Sequence, residues 1–216
     1  MTKQEIIDKA QSIPGTQVSP YDCDLLYDLC QQYIRPNGYA LEVGTWKGSS
    51  GYVIGSVCKE KNAILYTVDT FRGVEDPNSR KNQEGNLGGY YEAIISTNFI
   101  QHAIENLKGL PVKIIQGDSN KILPTLPDRM FDFAFIDGNH EPPTVDNDIR
   151  TSIQKMRLGG MLCGHDHGNP DGDVHGAVKR VLNDEFVLHK RPVGVDYQYL
   201  LTIWCHEIKE GDYAKV

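Results

Sequence analysis

Short apolar runs alternate along this chain with longer stretches in which apolar side chains recur every three or four positions. The short runs are typical of buried strands, and the longer spacing is typical of amphipathic helices. The runs predict strands over 39–43, 63–68, 112–116, 131–136 and 161–164, and an antiparallel pair over 186–189 and 197–204. Strands that alternate with helices indicate an α/β fold with a mostly parallel sheet, in a single domain over 1–216.

Capping and breaking residues mark the predicted helices. Ser19-Pro20-Tyr21-Asp22 predicts a helix start, with serine as N-cap, proline first and an acid third. With a short helix over 2–12, this segment makes a helical extension over 1–36. Further helices are predicted from Gly48, over 91–107, from Pro142 to a stop at Leu158-Gly159-Gly160, and over 176–186. The inward face of the helix over 91–107 is expected to carry Ile94, Ile95, Phe99, Ile104 and Leu107.

A glycine turn joins the first strand to the next helix, in the pattern Glu42-x-Gly44-x-x-x-Gly48. Gly44 lets the backbone turn sharply, and Gly48 lets a ligand approach the start of the helix. Free N–H groups at that start can bind an anionic or carboxylate group. Trp46 stands where a dinucleotide-binding turn has its second glycine, which argues against a pyrophosphate here. A strand-to-helix turn that merely needs glycines is the structural alternative.

Polar residues also follow the second and third strands. Asp69 ends the second strand, 25 residues after Gly44, where an acid can accept hydrogen bonds from both hydroxyls of a ribose. An ordinary acid in a strand-end turn is the alternative. Asp118-Ser119 follows the third strand, at a position where polar side chains commonly contact an adenine. Asp118 can also serve as the N-cap of a short helix.

The fourth and fifth strands end in acids and histidines, Asp137-Gly-Asn-His140 and His165-Asp166-His167. The carboxyl ends of neighbouring parallel strands converge on one crevice, so we expect these side chains to meet there. Like charges repel at close range, and two acids in one crevice therefore need a cation or a substrate nearby.

Residues 73–91 interrupt the pattern with a polar, glycine-rich stretch. A loop of this length in a compact domain is usually functional or disordered. We interpret it as a candidate lid over the substrate at the strand ends, with a surface insertion as the alternative.

Composition narrows the choice of partners. The chain has 216 residues, and 22 basic against 29 acidic side chains give a net charge of −7 without a long basic run, so nucleic acid is a poor partner. No apolar run approaches the ~18–20 residues that span a bilayer, and the N-terminus lacks the apolar segment of a signal peptide. We therefore expect a cytoplasmic protein without membrane association. The sequence leaves open whether the protein forms a homo-oligomer.

The five cysteines are scattered and form no Cys-x-x-Cys pair. They are expected to be reduced, with Cys163 and Cys205 as small apolar residues inside strands.

Six of these features agree in order and spacing with one family. Over roughly residues 18–205 the chain resembles class I S-adenosylmethionine (SAM)-dependent O-methyltransferases of the macrocin and catechol O-methyltransferase type, a methyltransferase-24-like family. The features are Glu42-x-Gly44-x-x-x-Gly48, Asp69, Asp118-Ser119, Ile136-Asp137-Gly138-x-His140, Leu158-Gly-Gly160 and His165-Asp166-His167. The resemblance implies a Rossmann-like doubly wound sheet of seven strands, mostly parallel with one antiparallel strand. It also implies methyl transfer from SAM to a hydroxyl of a small molecule, such as a sugar or a phenol.

The same resemblance implies the residues of the site. SAM is expected to contact Glu42, Gly44, Thr45, Gly48, Ser49, Asp69, Thr70, Asp118, Ser119 and Asp137. A divalent metal, usually magnesium, is expected between Asp137, Asp166 and His167. Magnesium prefers oxygen ligands, whereas the imidazole of His167, where the family usually has Asn or Asp, suits manganese, iron, cobalt or zinc better. Without a metal, Asp166 and His167 would cap the loop and contact the substrate directly.

Methyl transfer requires an acceptor oxygen held in line with the S–CH3 bond and a group that takes its proton. Asp137 and His140 are the candidate catalytic residues. His140 lies where the catechol enzyme has its base, and an ordinary imidazole pKa of about 6.5 suits the task. His165 and His175 are rival bases, and His140 as a turn residue is the structural alternative. Two other functions stay open, a nicotinamide-dependent oxidoreductase and a non-catalytic SAM-binding module.

Overall fold

The structure is a computed structural model that describes residues 1–72, 98–168, 172–189 and 203–214. Its strands are β1 (Tyr39–Val43), β2 (Ile64–Asp69), β3 (Val112–Gln116), β4 (Phe131–Ile136), β5 (Met156–Gly164), β6 (Val187–His189) and β7 (Ile203–Glu207). Its helices are α1 (Lys3–Gln11), α2 (Pro20–Tyr33), α3 (Ser49–Glu60), α4 (Phe99–Asn106), α5 (Ser119–Ile122), α6 (Thr144–Lys155) and α7 (Val174–Leu182), with 3-10 turns at Leu123–Thr125 and Glu210–Ala214.

The strands form one seven-stranded sheet in the order β3-β2-β1-β4-β5-β7-β6. Strands β1 to β5 pair in parallel, and β7 runs antiparallel to both of its neighbours. The predicted Rossmann-like doubly wound sheet is therefore confirmed. Successive strands are added outward from β1 on one side and from β4 on the other. Open α/β sheets bind ligands in the crevice at such a switch point.

Helices cover both faces of the sheet. Helices α1, α2 and α3 pack on one face, around buried side chains such as Leu26 and Phe133. Helices α6 and α7 cover the other face, around Leu41 and Ile149. Successive strand residues point to opposite faces, so a strand covered on both sides needs an apolar residue at nearly every position. This explains why β4 reads as an almost uninterrupted apolar run. None of the described helices has the length and apolar character to cross a membrane.

The predicted boundary between α6 and β5 is wrong. The helix ends at Lys155 and the strand begins at Met156, so Leu158-Gly159-Gly160 lies inside the strand instead of ending the helix. The pairing with β4 shifts register there, and Gly159 has a φ of 70°. Between the pairs Phe131–Met156 and Phe133–Met161, β5 advances five residues while β4 advances two, so β5 carries three extra residues. This insertion is an enlarged form of a β-bulge, which strand periodicity alone does not predict.

Other predicted details also differ. Ile104, expected inside, is 45% exposed, whereas Phe99 and Leu107 are buried. Helix α7 begins two residues earlier than predicted, because Asp173 caps it by accepting from the Gly176 N–H at 3.2 Å. The last strand continues to Glu207 instead of ending at Trp204. The candidate lid over 73–91, the predicted helix before residue 98 and most of the predicted strand over 197–204 lie outside the described residues.

A buried acid ties the N-terminal helices to the sheet. Asp132 in β4 has no exposed surface, and its Oδ1 accepts from Nε of Arg35 at 2.7 Å and from Nε of Arg157. Its Oδ2 accepts from the backbone N–H groups of Arg35 at 3.3 Å and Tyr39 at 3.2 Å. A Cβ at Gly38 would overlap this oxygen, so the chain can enter β1 here only through a glycine.

Asp132→Ala should lower the free energy of unfolding by about 3 kcal/mol, because two guanidinium groups and two backbone N–H groups lose their shared acceptor. Urea denaturation followed by circular dichroism measures this loss. Asp24→Ala is the control, since it removes an exposed partner of Lys3 and should cost less than about 1 kcal/mol. Equal losses in the two variants would contradict the role of Asp132.

Candidate active site

The turn after β1 is held against the ends of two neighbouring strands. Gly44 has a φ of 93°, and its N–H donates to the Val68 carbonyl oxygen of β2 at 2.9 Å. A Cβ at Gly44 would overlap the carbonyl oxygen of Asp137, which follows β4. Gly44 is therefore required by the close approach of two chain segments as well as by the turn itself.

The second glycine of the motif has a different neighbour from the one expected. Gly48 is the N-cap of α3, and a Cβ there would meet the Leu107 side chain at 3.1 Å instead of facing a ligand. No side chain caps α3, and the Ser49 hydroxyl is buried without a hydrogen-bond partner. An uncapped helix start beside an unpaired hydroxyl can bind an anionic group.

Asp69 holds the glycine turn to the end of β2. Its Oδ2 accepts from the backbone N–H groups of Thr45 at 2.8 Å and Trp46 at 2.7 Å, and its Oδ1 accepts from that of Phe71 at 2.7 Å. Burial raises the pKa of Asp69, although these three hydrogen bonds oppose the shift. A carboxylate offers about four acceptor positions, so about one remains for a ligand. The neighbouring Thr70 hydroxyl accepts from the Arg72 N–H at 3.3 Å.

Glu42 supports the turn from inside the core. Its carboxyl group is fully buried and accepts from the hydroxyls of Ser50, at 2.6 Å, and Thr67. The Thr67 hydroxyl also contacts that of Thr45 in the turn. Burial raises the pKa of Glu42 to about 7, against the two hydroxyl contacts that lower it. Glu42 and Thr45 are thus joined by one internal network.

A buried acid that the sequence analysis missed lies next to the predicted adenine residues. Asp118 caps α5 by accepting from the Asn120 N–H at 3.0 Å, and Ser119 begins that helix. Asp148 of α6 is 1% exposed, and burial raises its pKa to about 7, although a hydrogen bond with the Ser119 side chain opposes the shift. A Cβ at Gly138 would lie 3.6 Å from its Oδ2, so the carboxylate sits beneath the end of β4. Its spacing of three residues from Val145 was the signal, since it places Asp148 on the inward helix face.

The acids and histidines after β4 and β5 form one cluster. Asp137, His140 and Asp166 each offer a ligand atom within 4.8 Å of the other two. His140 Nε2 lies 3.1 Å from Asp166 Oδ2. His165 lies beneath, with Nδ1 3.6 Å from Asp137 Oδ1 and 3.4 Å from Asp166 Oδ2. Two carboxylates thus alternate with two imidazoles.

Mutual attraction sets the protonation of this cluster. Burial alone would lower the pKa of His140, but the hydrogen bond and charge of Asp166 outweigh it and raise the pKa above its usual value. Burial also opposes charge on His165, yet its carboxylate neighbours, Asp137 first, raise the pKa well above the usual value. In turn, the two imidazoles hold the pKa of Asp166 well below its usual range despite burial.

His167, predicted as a metal ligand, faces away from the three converging residues. Its ring centroid lies 4.6 Å from that of His175 and 5.3 Å from that of Phe186, and its Nε2 is buried without a partner. Burial lowers the pKa of His167 to about 4, so the ring is neutral at pH 7. In this arrangement His140, not His167, is the third residue beside the two acids.

Asp22 connects the N-terminal extension to the cluster, and the sequence analysis missed this role. Its Oδ2 accepts from the N–H and hydroxyl of Ser19 at 2.9 and 2.8 Å, as the predicted cap requires. The same oxygen lies 3.4 Å from His165 Nε2. The cap was visible in the sequence, but a contact across 143 residues was not.

A small cavity adjoins the cluster on the side of α6 and α7. Its walls include the side chains of Val145, Val174 and Trp204 opposite Asp137 and His140, and it has room for about one water molecule. The Trp204 indole N–H is buried without a hydrogen-bond partner. The cavity therefore offers an apolar wall next to the cluster.

One family model, described as a methyltransferase domain (methyltransferase-24), matches residues 41–167. This match spans 127 of the 216 residues and includes the glycine turn and both halves of the acid–histidine cluster. The chain belongs to this family and is a SAM-dependent methyltransferase. Membership of this methyltransferase family argues against the alternative function of a nicotinamide-dependent oxidoreductase.

Solved structures share the fold over nearly the whole chain. The O-methyltransferase TomG of Streptomyces achromogenes, solved with SAM, has a TM-score of 0.63 at 17% identity, over 96% of this chain and 89% of that one. Cofactor-bound Rv0187 from MTB has a TM-score of 0.64 at 19% identity, over 96% and 88%. An rRNA methylase from Streptococcus thermophilus has a TM-score of 0.58 at 10% identity, over 90% and 100%. No curated protein matches the chain. The shared fold serves more than one type of acceptor.

Gly44→Ala should destabilise the protein more than Gly109→Ala. Both glycines have φ in the left-handed region, 93° and 83°, where another residue costs about 1–3 kcal/mol. Only at Gly44 would the added methyl group overlap another segment, since nothing lies within 4 Å of a Cβ at Gly109. The extra loss of unfolding free energy, measured in urea, should be about 1–3 kcal/mol. Equal losses would mean that the turn does not depend on its contact with Asp137.

Proposed function

We propose that this methyltransferase transfers the methyl group of SAM to a hydroxyl oxygen of a small molecule, with a divalent cation held by Asp137, His140 and Asp166. The observation that carries the proposal is the convergence of these three residues at the ends of β4 and β5, beside the glycine turn. A hydroxyl acceptor must lose its proton, and this cluster is suited to that step.

The turn and its surroundings fit the parts of SAM. The uncapped start of α3, with the unpaired Ser49 hydroxyl, suits the cofactor carboxylate. Asp69 suits the ribose, but three backbone N–H groups already occupy it, so we infer one ribose hydrogen bond to this carboxylate instead of two. Asp118 and Ser119 lie at the end of β3, one strand further, where the adenine would lie.

The donor set of the cluster fits a divalent cation. Metal–ligand bonds of ~2.0–2.6 Å require ligand atoms within roughly 5 Å of each other, and the three residues meet this limit at 4.8 Å. An imidazole among the ligands favours manganese, iron, cobalt or zinc over magnesium. His167 remains the rival third ligand, because its Nε2 is unpaired and it follows Asp166 directly.

When bound, SAM supplies an electrophilic methyl carbon, and the cation lowers the pKa of the acceptor hydroxyl. Asp137 lies against Gly44 and would position the acceptor beside the cofactor turn. Orientation of this kind contributes roughly 7–11 kcal/mol to catalysis. His140 can take the proton of the acceptor only when it does not ligate the cation, as when His167 is the third ligand. In that arrangement it suits the role better than His165, since its side chain is 29% exposed, against 3% for His165, and can exchange protons with solvent.

Charge and lining support a small acceptor. A net charge of −7 disfavours a phosphate-rich partner such as RNA, which the fold alone does not exclude. The apolar side chains of Val145, Val174 and Trp204 border the cluster and would contact a small apolar part of the acceptor, since the cavity has room for only about one water molecule. The proposal also includes a lid formed by residues 73–91, a cytoplasmic location and a single domain over 1–216.

The proposal is tested first by product formation. Protein, SAM and a panel of catechols, sugars and other hydroxylated metabolites should yield S-adenosylhomocysteine only with an accepted hydroxyl. Blocking that hydroxyl as its methyl ether should abolish the signal. Turnover of the ether, or of RNA alone, would contradict the proposed acceptor class.

Asp69→Ala should weaken SAM binding by roughly 5- to 150-fold, because a buried polar contact worth ~1–3 kcal/mol is lost and the turn loses its anchor. Isothermal titration calorimetry measures this affinity. Asp24→Ala, an exposed acid on α2, should bind SAM as the unaltered protein does. If Asp69→Ala kept its affinity, Asp69 would have no part in the cofactor site.

Asp166→Asn should weaken Mn²⁺ binding more than about tenfold, since the cation loses a charged ligand. Calorimetry with Mn²⁺ in the presence of SAM measures this change. His167→Gln is the matched control, because its ring packs on His175 instead of the cluster. A loss in His167→Gln but none in His140→Ala would restore His167 as the third ligand. Full turnover in EDTA would remove the cation from the mechanism.

A further inference from the structure

Two cysteines and a histidine meet on the sheet face that α2 covers, on three neighbouring strands. Cys163 of β5 lies directly opposite Cys205 of β7 in the antiparallel ladder. Cys163 Sγ donates to Cys205 Sγ at 3.1 Å. His189 of β6, on the other side of β7, also hydrogen-bonds the Cys205 thiol. Among the described residues, this is the one cysteine pair with a sulfur–sulfur hydrogen bond.

The backbone around this pair already has the dimensions of a disulfide. Directly opposite residues of an antiparallel ladder have Cα atoms about 4.5–5.5 Å apart. Disulfides join Cα atoms that are about 4.4–6.8 Å apart. A bond between Cys163 and Cys205 therefore requires movement of the side chains but not of the strands.

The two thiols have different chemical character. The hydrogen bond from Cys163, helped by His189, lowers the pKa of Cys205 to about 6 in spite of burial. Burial raises the pKa of Cys163 well above its usual value. The thiolate is the reactive form of cysteine, so Cys205 is the nucleophile and Cys163 keeps its proton. Cys205 is also the more accessible of the two, at 4% against 0%.

We propose that Cys163 and Cys205 are a redox-sensitive dithiol, which a small peroxide converts into a cross-strand disulfide, with His189 as the group that activates Cys205. This modification site is separate from the acid–histidine cluster and does not depend on the methyltransferase activity. The link to the cluster is the strand itself, since β5 carries Cys163 three residues before Asp166.

The chemistry balances with hydrogen peroxide as the oxidant. The Cys205 thiolate attacks one peroxide oxygen, the O–O bond breaks, and the leaving hydroxide takes a proton to become water. Cys205 is then a sulfenic acid. The Cys163 sulfur attacks the Cys205 sulfur, the S–O bond breaks, and the hydroxyl leaves as water with the Cys163 proton. Two thiols lose two electrons in total, and one peroxide becomes two waters.

The test uses the reduced full chain and needs no variant. After treatment with hydrogen peroxide, remaining thiols are alkylated and the protein is digested with trypsin. Mass spectrometry should find peptides 158–179 and 191–209 joined, about 2 Da lighter than the sum of the two reduced peptides. Cys23, Cys30 and Cys58 should be alkylated. Alkylation of all five cysteines, or a link between two other cysteines, would overturn the proposal.

Variants separate the roles of the three residues. Cys163→Ser should leave Cys205 as a sulfenic acid that dimedone traps, and Cys205→Ser should leave Cys163 unoxidised. Cys58→Ser is the matched control, a buried cysteine whose loss should leave the 163–205 link intact. His189→Gln should slow oxidation at least about fivefold at pH 7, because the thiolate fraction falls. An unchanged rate in His189→Gln would overturn the activation by His189.

Discussion

The contact between the turn after β1 and the end of β4 sets the geometry of the whole site. Gly44 has no space for a Cβ beside Asp137, and the Asp137 N–H donates to the Val43 carbonyl oxygen at 2.8 Å. The sheet order changes direction between these two strands, so helices leave to opposite faces and a crevice opens there. Asp69 then fixes the rest of the turn to the end of β2. The glycine turn and the acid–histidine cluster therefore share one rigid edge of the sheet.

Two buried acids hold α2 across the sheet, one near each end. Asp22, in the first turn of α2, contacts His165 beneath the cluster. Asp132 binds Arg35, two residues after the helix, at the opposite edge of the sheet. A helix of 14 residues is about 21 Å long, enough to reach from one edge to the other. The N-terminal extension is thus a structural support of the site, although the methyltransferase family match begins only at residue 41.

Local patterns predicted the strands, the glycine turn and the capping box of α2, because each of these depends on residues close together in the chain. The mostly parallel sheet followed from the alternation of strands and helices, and the family resemblance added its seven strands and the antiparallel one. Long-range packing was less accessible. Asp148 was not singled out in the sequence, although its spacing of three residues from Val145 places it on the buried face of α6. Two further features depend on contacts that no local pattern records. They are the bulge at Gly159 and the Leu107 side chain, which occupies the space beside Gly48.

The backbone conformation explains why His140, instead of the predicted His167, lies beside Asp137 and Asp166. In a regular strand, alternate side chains share a face, so His165 and His167 would both lie on the side of α2. Asp166 instead has a φ of 59°, so the backbone leaves the strand geometry just after β5 ends at Gly164. His165 stays over Asp22, Asp166 remains in the crevice, and His167 turns towards His175 and α7. Aspartate tolerates this left-handed conformation better than most residues, and its short side chain is also the one that reaches His140. The conformation of Asp166 therefore places its own carboxylate in the cluster and directs the His167 side chain away from it.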